Sequence, residues 1–155
     1  NAGSVTPPAG FSNYLGATVI SPVTPGSTDT YLIQQSIEGF NTADLAWGTA
    51  NAKTVTLSFW VRSSITGTFG GAVANGAFSR SYPFTYSISS AGTWERKTVT
   101  IAGDTSGTWA TDSTLGMKVN FGLGVGSSFA GTAVPAGRLD ASSSSFHAVL
   151  GFRQA

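Results

Sequence analysis

The chain has 155 residues, 41% of them apolar and only 10% charged, with 21 Ser, 20 Thr and 20 Gly making up much of the rest. That length suits one hydrophobic core without a metal or disulfide staple, and the absence of Cys excludes thiolate catalysis and Cys-based zinc sites. A net charge of +1 gives no field to gather phosphate or anionic lipid, and no apolar run nears the roughly 18 residues of a membrane helix, so neither nucleic acid nor membrane is expected as a partner.

No amphipathic helical stripe occurs. Short alternating runs separated by Gly, Ser, Asn and Pro clusters recur instead, and predict an all-β fold: a two-sheet antiparallel β-sandwich, with a jelly roll preferred. One domain over 1–155 is expected, irregular at 1–13 and 131–145. In chain order, a weak strand over 14–20 precedes a Pro/Gly/Ser-rich loop over 21–29, and a second weak strand covers 30–37. Trp47, in the DLAWG run of 44–48, reads as a core residue anchoring a turn. The clearest strand is 53–63, where Val55, Leu57, Phe59 and Val61 face the core and Thr56, Ser58, Trp60 and Arg62 face away. A weak strand over 67–73 leads to one over 80–89, where Tyr82, Phe84, Tyr86 and Ile88 share a buried face. Pro83 opposes them and marks an edge or bulge. In the strand 94–101, Glu95 and Lys97 share a side with Val99 and Ile101, which leaves its inward face open. A polar loop follows over 102–115, then a strand over 117–123 with Met117, Val119, Phe121 and Leu123 inward and Lys118 and Asn120 outward. Small residues and four serines fill 131–145 as a loop, and 146–152 closes the chain as a weak strand. The chain starts at Asn1, which leaves a processed product, a fragment and an excised domain all open.

Catalytic groupings are sparse. A glycosidase needs two carboxylates about 5–9.5 Å apart, one with a raised pKa. Glu38 and Glu95 are the pair that folding could bring together, although paired surface carboxylates are the plainer reading. Asp104 and Asp112 bracket one loop and are weak candidates for a structural Ca²⁺, against the simpler role of capping turns. No other cofactor is expected. His147 is the sole histidine, but no G-x-S-x-G elbow supplies a nucleophile for it, and GVGSS (124–128) lacks the Lys and helix of a phosphate loop. No enzymatic activity is expected.

The aromatics are more informative. Sugar recognition joins flat rings to planar polar side chains, because a pyranose has both apolar faces and hydroxyls. Trp60 lies among polar side chains on its strand, beside Arg62. If its strand and that of Lys118 and Asn120 share a sheet, the four form a ring-and-donor surface; burial under a loop or a neighbouring subunit is the alternative. Trp109, within the polar loop, is a further candidate contact. Trp94 reads as a plug at one end of the sandwich, and the hydroxyls of Tyr82 and Tyr86 are expected at a rim.

Three segments carry a resemblance in order and spacing: SFWVR within 55–69, TWERKTVTI within 91–124 and, after it, DTSGTW. With RSYPFTYSI (80–88), they resemble a recurring domain of phage and prophage tail-fibre and related virion proteins, itself similar to jelly-roll carbohydrate-binding modules. The resemblance covers about residues 31–124. It implies a virion location, other virion proteins as partners, homo-oligomers with a trimer favoured, and contact with bacterial surface glycans. Such domains close on a strand like FYITGVQLEVG, whereas this chain ends SFHAVLGFRQA, which keeps a Phe and a Gly but not the Gly-Val-Gln-Leu-Glu element. Two functions follow as expectations: host-surface glycan attachment, or a structural decoration, cement or fibre-body part that binds only other virion proteins.

Overall fold

The computed structural model describes residues 5–128 and 145–154, and in the last stretch only the side chains of Phe146 and Ala148. The loop expected over 131–145 thus lies, but for its last residue, outside the described residues. Eight strands form: β1 (Leu15–Thr18), β2 (Thr30–Glu38), β3 (Val55–Ser63), β4 (Gly67–Asn75), β5 (Ser81–Ile88), β6 (Glu95–Ile101), β7 (Leu115–Val125) and β8 (Ser145–Gln154). Each falls on a predicted run, and β2, β4, β7 and β8 extend beyond theirs. They pair antiparallel in two four-stranded sheets, ordered β1-β8-β3-β6 (sheet A) and β2-β7-β4-β5 (sheet B). That order, with the chain passing repeatedly from one sheet to the other, is a jelly roll. Two 3₁₀ turns, Gly39–Asn41 and Ala43–Leu45, are the only helical pieces among the described residues.

The layers meet where alternation placed the core. Every second residue of β3 is buried, from Val55 to Ser63, and the Phe59 ring packs against Tyr86 and Phe121 with centroids 5.0 and 4.8 Å apart. Each such side chain contributes about 1.5–3 kcal/mol on leaving water. Gly71 pairs with Phe84 across β4 and β5, and a Cβ at Gly71 would stand 2.5 Å from the Phe84 ring. The missing side chain is what lets that ring lean into the core.

Edge strands explain the ambiguous runs. β5 ends sheet B, so Pro83 pairs with Ala72 on one side and needs no donor on the other. β6 ends sheet A, and its inward side carries Ile101 buried at one end and Glu95 with Lys97 at the open rim, joined as an ion pair at 2.5 Å. The Tyr hydroxyls divide. Tyr82 is 40% exposed at the rim, whereas the Tyr86 hydroxyl is enclosed with no hydrogen-bond partner, and burial raises its pKa above the ordinary phenol value. The expectation of a rim position therefore fails for Tyr86. The atypical last segment forms β8 between β1 and β3, in register from Val55 with Gln154 to Ser63 with Phe146.

Candidate functional site

The two outward faces of the sandwich hold the candidate residues apart. Trp60 and Arg62 lie on β3 in sheet A, Lys118 and Asn120 on β7 in sheet B, so the shared surface expected from their alternation does not form. Alternation ranks the side chains of one strand; it does not choose that strand's neighbours. On sheet A, Trp60 is half-buried opposite Arg96, in a face of hydroxyls with Ser58 opposite Thr98 and Thr56 opposite Thr100. Arg62 is committed locally: its Nε donates to the carbonyl of Gly92 at 2.8 Å, which fastens the β5–β6 turn to the end of β3.

Trp109 is also a structural pin rather than a free ring. Its indole stands edge-on to Trp47 at 4.6 Å, and its Nε1 donates to Asp104 Oδ2 at 3.2 Å. Trp47 is buried and donates to the Lys53 carbonyl at 2.8 Å, the turn anchor its context predicts. Asp104 is the hub of this loop. It accepts two hydrogen bonds of 2.7 Å from the Arg80 guanidinium and another from the amide of Ser106. Chiefly because of Arg80, its pKa lies well below the usual carboxylate range. Asp112 likewise accepts from the Thr114 amide at 2.9 Å. Both carboxylates thus cap turns, and a guanidinium occupies the place beside Asp104 that a Ca²⁺ would need. Among the described residues no group of three or more potential metal ligands gathers. Trp94 donates its Nε1 to the Thr6 carbonyl at 2.8 Å and packs edge-on to Tyr14, pinning the N-terminal segment.

The carboxylate pair fails on distance. Glu95 pairs with Val61 and accepts from the amides of Ser89 and Ser90, just past the end of β5 that lies beside Gly67. Glu38 pairs with Leu115, beside the Asn75 end of β4. They sit at opposite ends of a nine-residue strand, about 26 Å of extended chain. Lys97 and the Ser90 amide also hold the Glu95 pKa below its ordinary value, the wrong direction for a general acid. For His147 the register with Gly16 and Arg62 is defined, its side chain not being among those described.

Sheet B's outer face is built differently. Its register forms rows: Ser36, Lys118, Ala74, Ser81; then Gln34, Asn120, Ala72, Pro83; then Leu32 beside Gly122. Small residues therefore floor the middle of the face, with longer polar side chains on β2 and β7; Gln34 Nε2 donates to Ser36 Oγ at 3.2 Å. Asn120 is only 7% exposed, and its carboxamide oxygen is enclosed without a hydrogen-bond partner. Leaving a buried amide oxygen unsatisfied costs about 1–3 kcal/mol.

An aromatic that sequence patterning passed over overhangs the floor. Phe78, in the β4–β5 turn, takes a left-handed backbone conformation with φ 56° and is 55% exposed. The Lys118 ammonium lies 3.6 Å from its ring centroid, a cation–π contact. A bulky residue at positive φ is held there only by strong surroundings, and they are visible. Asn75, 1% exposed, donates through Nδ2 to Ser79 Oγ at 2.8 Å and to the Thr108 carbonyl at 2.9 Å, and accepts from the Arg80 amide at 3.2 Å. The Trp109 loop thus braces the turn that presents Phe78. The available signal was an aromatic among Asn, Gly, Ala and Ser in a connection where small polar residues belong.

No protein-family model and no curated protein matches the chain. Among solved structures it is similar to one described as "CBM4 structure and function", with a TM-score of 0.47 and 16% identity over 93% of this chain and 85% of that one. It is also similar to the N-terminal cellulose-binding domain of Cellulomonas fimi β-1,4-glucanase C, with a TM-score of 0.43 and 15% identity over 93% of this chain and 80% of that one. The fold assignment stands on the chain's own strand order.

Proposed function

We propose that the chain is a non-enzymatic glycan-binding module of a bacteriophage virion, in a tail fibre or related appendage, and that it helps attach the particle to glycans of the host surface. The virion setting is supported by the sequence resemblance over residues 31–124. The ligand face is the outer surface of sheet B, and one observation carries that choice: the buried, unpartnered carboxamide oxygen of Asn120. A polar group enclosed without a partner is satisfied when a ligand supplies one, and a sugar hydroxyl is such a donor once the side chains that cover the oxygen move aside. Phe78 adds an exposed ring, Gln34 and Ser36 further polar contacts, and the Gly and Ala floor lets a ring approach the sheet. Each site binds weakly, and repetition on a symmetric fibre multiplies the effect.

An array of bacterial surface polysaccharides, followed by titration of the bound member against Asn120→Ala and Trp60→Ala, tests the reading. Binding that falls in the first and persists in the second supports it; silence across the array would sink it. A specific observation favours the structural reading as the alternative: Phe11, Leu15, Ile20 and Val23 are all exposed, Ile20 fully. Cross-linking within intact particles through this segment, combined with a silent array, would establish that alternative.

A further inference from the structure

Lys118 gives the proposed ligand face a charge that no ion pair among the described residues balances. The residue is half-buried, sits in the outer row between Ser36 and Ala74, and holds its ammonium against the Phe78 ring. The ion pairs among the described residues are Arg80 with Asp104 and Lys97 with Glu95, and neither involves it. Glu38, exposed at the end of the same β2 strand, does not reach it either. An aromatic ring fixes a cation's position without neutralising it. Two residues further along β7 stands the unpartnered Asn120 oxygen, about 7 Å away along the strand, roughly the span of one sugar ring.

A ligand that satisfies all three groups needs an apolar ring face for the exposed Phe78, a hydroxyl donor for Asn120 Oδ1, and an anionic oxygen for Lys118 Nζ. From this we infer that the face selects an acidic glycan, one whose sugar beside Lys118 carries a carboxylate, as in a uronic, sialic or pyruvylated residue. The inference rests on the glycan-binding reading and adds the charge of the ligand to it. The carboxylate replaces water at a cation already positioned and partly desolvated, so the ion pair forms with little side-chain ordering. Its contribution is that of a half-exposed pair, roughly a five- to tenfold gain in affinity at low salt that shrinks as salt rises.

The test is an array of carboxylated oligosaccharides (uronic, sialic and pyruvylated), each printed beside its methyl ester and read with the full chain, Lys118→Met and Lys118→Arg. The expected result is at least one acid bound about fivefold or more tighter than its ester. Lys118→Met should erase that preference, with an unchanged circular dichroism spectrum and thermal midpoint showing that the variant is folded, and Lys118→Arg should keep the preference. Esters bound as well as their acids would overturn the acidic selection and leave glycan binding intact. No acid and no ester bound would overturn the acidic selection, and silence on the polysaccharide array as well would overturn both.

Discussion

The two outward faces of this sandwich carry similar residue types and differ in what is left unfinished. On sheet A, the largest side chain, Trp60, stands half-buried in a lattice of Thr and Ser, and its neighbour Arg62 already holds the Gly92 carbonyl. On sheet B the floor is small, a carboxamide oxygen is enclosed without a partner, and the exposed aromatic comes from a turn held at positive φ. A tryptophan on a hydroxyl-rich face is an ordinary way to cover a sheet. A buried unsatisfied acceptor opposes folding and calls for an explanation. On the outward face of a sheet, unlike at the core-facing Tyr86 hydroxyl, unmet polar demand is a better pointer to a binding surface than aromatic size.

The comparison breaks most visibly at Phe78. Phe78→Gly relieves the left-handed strain and removes the stacking ring, so glycan affinity should fall roughly 10- to 30-fold, the scale of one stacked aromatic, while Tm stays within about 3 °C. A comparable loss in Trp60→Ala would move the site to sheet A. Next in size, Asn120→Leu replaces the unpartnered amide by an apolar group of similar shape. Calorimetric titration should read a loss of about tenfold in affinity, and thermal unfolding a gain of about 1 kcal/mol. Lower affinity together with lower stability would make Asn120 a structural residue.

Asp104→Asn sharpens the contrast from a distance. It should cost about 1–2 kcal/mol of stability at neutral pH, because Arg80 and the Trp109 loop lose a charged acceptor, and weaken glycan binding two- to threefold through the Phe78 turn. The Asp104 pKa is depressed in the folded state. Its contribution is therefore fully present above the unfolded value of about 4 and disappears as pH falls through the lower folded value. Acid unfolding curves of the two proteins should converge at low pH; a constant offset would remove Asp104 from the account. The smallest effect belongs to Trp60→Ala, with affinity unchanged within twofold.

The strands were legible because alternation is local: Val55, Leu57, Phe59 and Val61 announce a buried face without reference to any partner. The edge position of β5 was legible from Pro83 for the same reason. What escaped depends on which strands lie side by side. Nothing within residues 53–63 or 117–123 says that these runs belong to opposite sheets, so the condition for a face shared by Trp60, Lys118 and Asn120 is not readable from either run. Trp109 read as a free loop ring because its partners, Trp47 and the Arg80-bound Asp104, arrive from separate parts of the chain. Phe78 went unread since a left-handed aromatic has no sequence signature apart from sitting among turn residues. Asn120 shows outward polarity in its strand pattern; its burial and lack of a partner emerge only when β2 and β4 close on either side.

One amide spectrum separates the two faces directly. In a ¹H–¹⁵N titration of the chain with the glycan that the array selects, the side-chain NH₂ of Asn120 and the backbone amides of β4 and β7 should shift in proportion to binding. The Trp60 indole N–H should stay in place. Movement of that indole with an unchanged Asn120 carboxamide would contradict the assignment of the ligand face to sheet B.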